Sequence, residues 1–351
     1  MSTNTEVRFK VGGVAIGRNE GERLRACLGS LVRDLDHVVY VDSGSEDDSL
    51  EMAEQLGVET LLLDTAEGFT AARARNAGFR RLLEIAPEVE LIQFVDGDCE
   101  VVEGWIPAAT QFLQTHPQVA VACGRRREID PDCNAYHRLA EMEWDTLPGE
   151  AHSCGGDALI KRQAFEQAGG YRNSLIAGEE PELCTRLRKD GWTIWRLDEE
   201  MTLHDVRMSR FGQWWKRAVR AGHAYAEVAV LHGSLTERHR WRKLLSIYFW
   251  ALLPVFALSL FPLAGTSPLV VTGFAYAIQW ARIARYRMRQ HGDPLADAFL
   301  YAASCIVANW PTAIGSLKYI GNRLRGSRSQ LIEYSQHTAG LHAHQTADKH
   351  T

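Results

Sequence analysis

The sequence lacks the signatures of several protein classes. Its seven cysteines are scattered through 351 residues without a Cys-x-x-Cys pair, which indicates neither a disulfide framework nor a zinc site. We therefore expect the bulk of the chain to lie in a reducing cytosol. A net charge of −5 argues against a general nucleic-acid binder, which normally presents a basic surface. Residues Met1 to Lys10 are polar and contain no apolar h-region, so we expect no secretory signal.

One short motif, Phe94 to Glu100, stands out from the rest of the sequence. It reads Phe-Val-Asp-Gly-Asp-Cys-Glu. Side chains two apart in an extended chain point the same way, so Asp96 and Asp98 face one spot, and Gly97 lets a diphosphate or a metal approach the backbone. Carboxylates arranged in this way hold a hard divalent cation against a phosphorylated substrate. For the motif alone, a strand followed by a polar turn is the alternative.

The first 95 residues alternate short apolar runs with helical spacing. Strands are predicted at Val11–Ile16, His37–Val41, Val58–Leu63 and Leu91–Val95, and helices follow the first three, the third over Ala71–Ile85. This alternation predicts a parallel sheet, and ligands of such sheets bind beyond the carboxyl ends of the strands. Those ends carry Asn19, Asp42 and the Asp96–Asp98 pair, which favours a shared ligand site over independent turns and helix caps.

A second acidic cluster, Glu179-Glu180-Pro181-Glu182, lies in the less regular stretch that follows. Leu183 and Leu187 are four apart and can pack inward, which places Glu179 and Glu180 in a loop or in the first turn of a helix. Pro181 suits a position in that first turn. Acidic residues that merely complement a helix dipole are the alternative interpretation.

Taken together, these motifs resemble the family 2 glycosyltransferases over about residues 8 to 220. The matched segments are Asn19-Glu20, Val41 to Asp47, Arg75-Asn76-Ala77-Gly78, Asp96-Gly97-Asp98, Gly156-Asp157 with Phe165, Gly169-Gly170-Tyr171, and Glu179-Glu180 with Leu183 and Arg186-Leu187. The resemblance implies an α/β A-type nucleotide-sugar fold, with a mixed, mostly parallel central sheet flanked by helices. It also implies a nucleotide-sugar-binding half, 8–115, and an acceptor-binding half, 116–235, of one catalytic domain.

The resemblance further implies a donor and metal site. Asp42 would hydrogen-bond the nucleobase, and Arg75, or Arg73 beside it, would approach the base or the diphosphate. Asp96 would face the ribose and the metal, while Asp98 would bind Mg²⁺ or Mn²⁺ directly and so neutralise the leaving nucleoside diphosphate. The implied donor site also includes Asn19 and Glu20. His204 matches the place of a third metal or diphosphate contact in some relatives, although a lone histidine is often structural.

A catalytic base and an acceptor site are implied in the same way. Glu180 occupies the position of the family's usual aspartate base, with Glu179 before it, and it would deprotonate an acceptor hydroxyl in a single, inverting displacement. Because this chain has Glu where the family has Asp, the base could also be Glu179 or Glu182. The predicted acceptor and phosphate contacts are Gly156, Asp157, Trp214, Trp215, Lys216 and Arg217. The last four only loosely match the Gln-x-x-Arg-Trp signature of processive synthases, which favours transfer of a single sugar.

Long apolar runs appear only in the C-terminal third. Leu244 to Ala264 contains 21 residues without a charge and Leu269 to Ala281 is a shorter run, and both have basic outer flanks. These features predict a hairpin with cytoplasmic ends in a membrane-associated helical region, 240–330. A third segment, Ala298 to Leu317, would span or lie in the interface. Buried helices of a soluble cap are the alternative, and the tail 335–351 is predicted to be disordered.

The predicted function combines these two parts of the chain. We expect an inverting, metal-dependent hexosyltransferase-type enzyme at the cytoplasmic face of the inner membrane, with a UDP-sugar as the favoured donor and a glycan or lipid-linked acceptor. A sugar-phosphate nucleotidyltransferase is one alternative, although residues 12–18 do not supply its Gly-x-Gly-x-Arg loop. The other alternative is a non-catalytic, nucleotide-sugar-binding membrane scaffold.

Overall fold

The computed structural model of the chain describes residues 9–64, 68–232 and 238–327. Its first part alternates strands and helices: β1 (Val11–Gly17), α1 (Glu22–Asp34), β2 (Val38–Asp42), α2 (Ser49–Gln55), β3 (Glu59–Leu62), α3 (Ala71–Ile85), β4 (Leu91–Asp96), β5 (Cys99–Val101) and α4 (Trp105–Thr115). Each of the four predicted strands is confirmed to within one residue at either end, and α3 has the predicted bounds. Hydrophobic periodicity was therefore sufficient to locate these elements.

The second part contains the remaining strands and shorter helices. They are β6 (Val119–Glu128), α5 (Ala135–Trp144), β7 (Gly149–Ala151), β8 (Ala158–Lys161), α6 (Arg162–Gln167), α7 (Glu179–Lys189) and β9 (Thr193–His204). The start of α6 at Arg162 agrees with the prediction, and α7 begins at Glu179 after Gly178, so the acidic cluster forms its first turn.

One mixed sheet joins all nine of these strands. Its order is β3-β2-β1-β4-β8-β6-β9-β5, and β7 pairs with β9 outside this path. The β1–β2, β2–β3, β1–β4 and β6–β9 pairs are parallel, whereas β8 is antiparallel to both β4 and β6. The mixed central sheet flanked by helices confirms the predicted fold class. The division into halves at residues 115 and 116 stays a prediction.

The register of the first strands brings the predicted ligand residues to one edge. Gly17, the last residue of β1, pairs with Asp42 at the end of β2, and Ile16 pairs with Asp96 at the end of β4. The interior of these strands is apolar and buried, with Val14, Val39 and Phe94 fully inaccessible to solvent. Burial on both faces is the physical reason for the continuous apolar runs in a parallel sheet.

Five helices complete the described chain. They are α8 (Phe211–His232), α9 (Arg238–Ser259), α10 (Phe261–Ala264), α11 (Ser267–Gln290) and α12 (Leu295–Leu324). Close packing joins α12 to α8: a Cβ placed on Gly222 would lie 2.0 Å from the Thr312 carbonyl oxygen, and one on Gly315 would lie 1.9 Å from the Val219 oxygen. Only glycine allows the two backbones to approach this closely.

Two helices are long and apolar enough to cross a membrane, Arg240–Ser259 and Leu295–Leu324, by length and composition alone. The predicted uninterrupted run Leu244 to Ala264 is divided between α9 and α10, with the break at Leu260. Helix α11, which contains the predicted second arm of the hairpin, does not meet the same criterion among the described helices. The predicted disordered tail, 335–351, lies outside the described residues.

Candidate active site

A buried arginine joins the two acidic clusters that the sequence indicated. Arg75 projects from α3 and is only 1% exposed. Its Nη2 donates to the Asp96 Oδ1 at 2.6 Å, its Nη1 donates to the Glu179 Oε1 at 2.9 Å, and Nη1 lies 3.3 Å from the Glu180 Oε1. Residues far apart in sequence thus line one crevice at the carboxyl end of β4. A buried charge needs such partners, because an unpaired one would be strongly destabilising.

Glu180 is the more open of the two carboxylates at the start of α7. Its side chain is 15% exposed, against 5% for Glu179. Burial and the neighbouring Glu179 charge raise the pKa of Glu180 to about 7, although Arg75 lowers it. A carboxylate with a pKa near neutrality is well suited to accept a proton.

Glu182, the third candidate base, faces away from this crevice. It is fully buried, and its carboxylate accepts from Arg186 Nη2 at 2.6 Å and lies 2.9 Å from the His232 Nε2. Burial alone would raise the pKa of Glu182, but its hydrogen bonds to Arg186 and His232 lower it. Its role is structural, and the geometry leaves Glu179 and Glu180 as the residues at the crevice.

A carboxylate and an imidazole meet next to Asp96. The Asp98 Oδ2 lies 3.3 Å from the Nε2 of His204, the last residue of β9. Burial raises the pKa of Asp98, but the His204 charge outweighs this and holds the pKa below its usual range. Asp98, His204 and the Cys99 thiol offer ligand atoms within 4.8 Å of one another. Carboxylate oxygens suit both Mg²⁺ and Mn²⁺, whereas an imidazole is a common ligand of Mn²⁺-type ions only, so the residues present fit Mn²⁺ better than Mg²⁺.

Cys99 is a weaker candidate ligand for that cation. Burial raises the pKa of its thiol well above the ordinary value, and the Asp157 charge raises it further. Only a thiolate binds metals well. The fit therefore rests on Asp98 and His204.

Asp157 stabilises the end of β4 next to the crevice. It is fully buried, its Oδ1 accepts from the backbone N–H of Asp96 at 3.1 Å, and its Oδ2 accepts from Thr202 Oγ1 at 2.8 Å. Its Oδ2 also lies 2.6 Å from Arg126 Nη2. The predicted acceptor or phosphate residue thus holds the strand end that carries Asp96.

Gly156 lies directly against the Arg75–Asp96 pair. A Cβ at this position would lie 2.4 Å from the Asp96 Oδ2 and 2.7 Å from Arg75 Nη2. A side chain at this position would therefore fit only if the Arg75–Asp96 pair moved, so glycine allows these polar groups to approach closely.

The remaining predicted donor residues form the loops after β1 and β2. Asn19, with φ of 55°, donates its backbone N–H to Ser45 Oγ at 2.9 Å and accepts the Glu46 N–H at 2.7 Å. Glu20 pairs with Arg23, and burial together with the Asp98 charge raises the pKa of Glu20 to about 7. Both residues therefore lie at the strand ends, as the sequence predicted.

Asp42 and Arg73 stabilise loops in this arrangement. The Asp42 carboxylate is fully buried, accepting from the backbone N–H groups of Gly44 and Ser45 at 2.8 and 2.7 Å and from the Tyr40 hydroxyl at 2.9 Å. Arg73 donates to the carbonyl oxygens of Gly68 and Asp64. Of the two arginines that the sequence offered, Arg75 thus lines the crevice, and the nucleobase contact of Asp42 stays a prediction.

Trp214 and Trp215 of α8 belong to a hydrophobic cluster. Trp214 is 6% exposed and packs in a hydrophobic cluster with Leu139, Met142 and Met208, and Trp215 packs against that cluster. Arg217 pairs with Glu143, and Lys216 is exposed on the helix surface. Trp214 was predicted as an acceptor or phosphate contact, but its buried ring fills a core between α5 and α8. The predicted contacts of Trp215, Lys216 and Arg217 stay predictions.

Three crevice residues escaped the sequence-based prediction. Arg126 of β6 lies 3.7 Å from the Asp96 Oδ2 and over the Trp144 ring, whose centroid is 4.6 Å from that of His204. Glu128 lies 3.7 Å from the His204 Nδ1. The only available signal was the run Arg125-Arg126-Arg127 after an apolar strand, where the middle side chain points away from its neighbours.

Comparisons with known proteins show what this chain is similar to. Residues 16–172 match the sequence model of the glycosyl transferase family 2. The chain is 27% identical over 234 residues to the pre-mycofactocin glycosyltransferase of Mycobacterium tuberculosis, covering 62% of this chain and 47% of that protein. It is 26% identical over 213 residues to the succinoglycan biosynthesis protein ExoA of Rhizobium meliloti, covering 56% and 61%. The chain thus spans about half the length of the curated relatives that it matches.

A solved structure extends the likeness beyond the family match. The mannosyltransferase PcManGT from Pyrobaculum calidifontis, solved in complex with GDP-Man and Mn²⁺, superposes with a TM-score of 0.58. The sequence identity is 16%, and the superposition covers 91% of this chain and 89% of that one. This likeness concerns the fold. Together with the match of residues 16–172 to the family model, it shows that this chain contains a glycosyl transferase family 2 domain with the A-type fold.

Proposed function

We propose that the enzyme transfers a single hexose, with inversion, from a nucleoside-diphosphate sugar to a glycan or lipid-linked acceptor. The observation that carries this proposal is the Arg75 contact with both the Asp96 and the Glu180 carboxylates, at 2.6 and 3.3 Å. It places the candidate base and the end of the donor strand in one crevice. A base and a leaving-group site on opposite sides of one carbon are what single displacement requires.

In the proposed step Glu180 takes the proton of the acceptor hydroxyl. The hydroxyl oxygen forms a bond to the anomeric carbon while the bond from that carbon to the diphosphate oxygen breaks, and the electron pair leaves with the diphosphate. Arg75 fixes the carboxylate of Glu180 from one side, and its positive charge limits the rise of the Glu180 pKa. A positioned base of this kind contributes about 10²- to 10⁴-fold to a rate.

Asp98 and His204 are the residues that would hold Mg²⁺ or Mn²⁺. The bound cation would supply charge neutralisation for the departing diphosphate. Arg23 Nη1 lies 4.0 Å from the Asp98 Oδ2, and Arg126 Nη2 lies 3.7 Å from the Asp96 Oδ2. These guanidinium groups offset the carboxylate charge of the crevice and present further donors to phosphate oxygens.

The donor and acceptor are proposed from similarity. A UDP-sugar is the favoured donor, although PcManGT binds GDP-Man, so both nucleotides belong in any screen. The match to a succinoglycan biosynthesis protein supports a part in polysaccharide biosynthesis. The absence of an in-register Gln-x-x-Arg-Trp motif supports single-sugar transfer over chain elongation.

We further propose that helices α9 to α11 attach the enzyme to the cytoplasmic face of the inner membrane. Eleven large apolar side chains on these helices are more than half exposed: Leu245, Phe249, Leu252, Val255, Phe256, Leu258, Leu263, Val270, Val271, Phe274 and Ile278. Exposed apolar side chains in such number suggest an interaction surface. Basic residues flank it, including Lys243 at the start and Arg282 and Arg285 at the end, which suits an anionic lipid surface.

A screen of the purified full chain tests the enzymatic proposal. The protein is incubated with a panel of nucleotide sugars and either Mn²⁺ or Mg²⁺, and release of nucleoside diphosphate is measured for the wild type, Asp98→Ala and Glu180→Gln. We expect metal-dependent release by the wild type alone. Equal release by all three proteins would refute the assigned roles. If the wild type is soluble without detergent and does not bind lipid vesicles, the proposed membrane attachment is refuted.

A further inference from the structure

The first turn of α7 is held from outside by the C-terminal helices. Arg240 of α9 donates through Nη2 to the Thr185 Oγ1 at 2.6 Å and to the Pro181 carbonyl oxygen at 3.2 Å. Thr185 is fully buried, and its hydroxyl also donates to the Pro181 carbonyl at 2.7 Å. One guanidinium group therefore bridges two consecutive turns of the helix whose first residues are Glu179 and Glu180.

Two contacts from α8 complete this attachment. The His232 Nε2 lies 2.9 Å from the Glu182 Oε1. The backbone of Gly178, just before α7, packs against α8, since a Cβ placed on it would lie 3.0 Å from the Ala224 Cβ. The position of Glu180 relative to Arg75 thus depends on helices outside the sheet, because α7 is fixed from both sides.

Arg240 is also the first residue of the apolar part of α9. The stretch Arg240–Ser259 is long and apolar enough to cross a membrane, and beyond Arg240 the outward face of the helix carries Leu245 and Phe249, both more than half exposed. Arg240, which hydrogen-bonds to α7, is therefore also the first residue of the segment that we propose enters lipid.

We propose that Arg240 is a positioning residue that couples insertion of α9 into a lipid surface to the placement of the candidate base Glu180. This inference rests on the proposed function. Lipid contact would restrict the motion of the exposed part of α9. The rigid, planar guanidinium of Arg240 would then hold its hydrogen-bond partners in α7 in one position. A displacement of about 1 Å at a catalytic group can lower a rate by about 100-fold, so a small loosening of this contact would be measurable.

The test compares Arg240→Ala and Arg240→Lys with a matched control, Arg162→Ala. Arg162 also bridges a helix to a backbone carbonyl, that of Pro87 at 2.7 Å, but it lies on α6 and away from α7. Each full-length protein is assayed with the active donor in detergent and on vesicles of phosphatidylethanolamine and phosphatidylglycerol. Vesicle co-sedimentation, thermal unfolding and amide hydrogen exchange of residues 179–182 are measured in parallel.

We expect Arg240→Ala to lower kcat about tenfold or more with KM unchanged within about twofold, because ground-state binding of the donor is preserved. Exchange of residues 179–182 should become faster, vesicle binding should be retained, and the stimulation of kcat by vesicles should be lost. Arg240→Lys should lie between this variant and the wild type, since it keeps the charge without the planar fork. Arg162→Ala should match the wild type in kcat, vesicle binding and the exchange of residues 179–182, and it should differ only in thermal unfolding, because its hydrogen bonds within α6 and to the Pro87 carbonyl are lost.

Three results would overturn the inference. The first is wild-type kcat and exchange in Arg240→Ala, or in Arg240→Lys if the alanine variant does not fold. The second is loss of vesicle binding with unchanged kcat in detergent, which would make Arg240 an attachment residue only. The third is a wild-type kcat that vesicles do not raise. If no donor is turned over, the proposed function fails instead, and exchange decides the inference: vesicles should slow exchange of residues 179–182 in the wild type but not in Arg240→Ala.

Discussion

Replacing Glu180 by glutamine should inactivate the enzyme and stabilise it at the same time. Glutamine keeps the shape of the side chain but can neither accept the acceptor's proton nor carry a charge. We expect kcat to fall by about 10²- to 10⁴-fold, the usual contribution of a general base. The effect on stability has the opposite sign, because burial and the Glu179 charge raise the pKa of Glu180 from its ordinary value of 4.5 to about 7.

The magnitude and the pH range follow from that rise in pKa. Between pH 4.5 and about 7 the folded state holds a proton that the unfolded state has lost, so the free energy of unfolding of the wild type falls as the pH rises through this range. A rise from 4.5 to about 7 corresponds to about 3 kcal/mol at most. Glu180→Gln escapes this loss, so it should be more stable than the wild type by up to about 3 kcal/mol at pH 8, with the difference fading towards pH 4.5.

Urea unfolding in detergent at pH 4.5, 6, 7 and 8 measures this difference. A chelator is included, because the charge of a bound cation would lower the pKa of Glu180. The control is Glu182→Gln: hydrogen bonds to Arg186 and His232 lower the pKa of Glu182, so this variant should be less stable than the wild type at pH 8, and the deficit should shrink as the pH falls. Coincident unfolding curves for Glu180→Gln and the wild type at pH 8, or wild-type turnover by Glu180→Gln, would refute the reasoning.

Three further predictions concern the metal and two close contacts. Asp98→Ala should lose Mn²⁺-dependent turnover, and its thermal midpoint in chelator at pH 7 should fall, because the His204 charge that lowers the Asp98 pKa would lose its partner; a retained Mn²⁺ response would exclude Asp98 as a ligand. Gly156→Ala should abolish turnover, since its Cβ would lie 2.4 Å from a carboxylate oxygen, whereas nothing lies within 4 Å of a Cβ on Gly155, so Gly155→Ala serves as the control for activity and folding. Gly315→Ala should destabilise the protein by about 1–3 kcal/mol through overpacking, as measured by urea unfolding. The control Gly321→Ala should not destabilise it, because nothing lies within 4 Å of a Cβ at that position. Equal stability of the two variants would show that the close contact between α8 and α12 does not contribute to stability.

Local sequence patterns were sufficient for the elements that position the site. The strand before Asp96 is an apolar run bounded by turn residues, and α3 has helical spacing over all of Ala71–Ile85, so each element can be recognised from its own residues. The fold class followed from their alternation, since parallel strands need crossover helices. The placement of Asn19, Asp42 and Asp96 at one edge followed from the same rule, because parallel strands end on the same side.

Which side chains face the crevice could not be predicted from local sequence, because it depends on contacts between residues far apart in the chain. Arg73 and Arg75 are two apart in one helix, and only the packing of α3 on the sheet directs Arg75 to Asp96 while Arg73 holds a loop. Trp214 was expected to contact an acceptor or a phosphate, but its apolar ring is stabilised by burial between α5 and α8. Arg126 gave almost no signal, because its role depends on a pairing with Asp157 across the sheet.

The sequence by itself determined the strands, the helices and the two acidic motifs, because these depend on periodicities of a few residues. It also determined the sheet edge that carries the site, because parallel strands joined by crossover helices end on the same side. Tertiary structure alone decided that Glu180 rather than Glu182 lines the crevice and that Arg240 reaches α7 from a distant apolar helix. The physical reason is that charge pairing and burial act through space: a carboxylate's pKa and accessibility are set by whatever the fold packs around it.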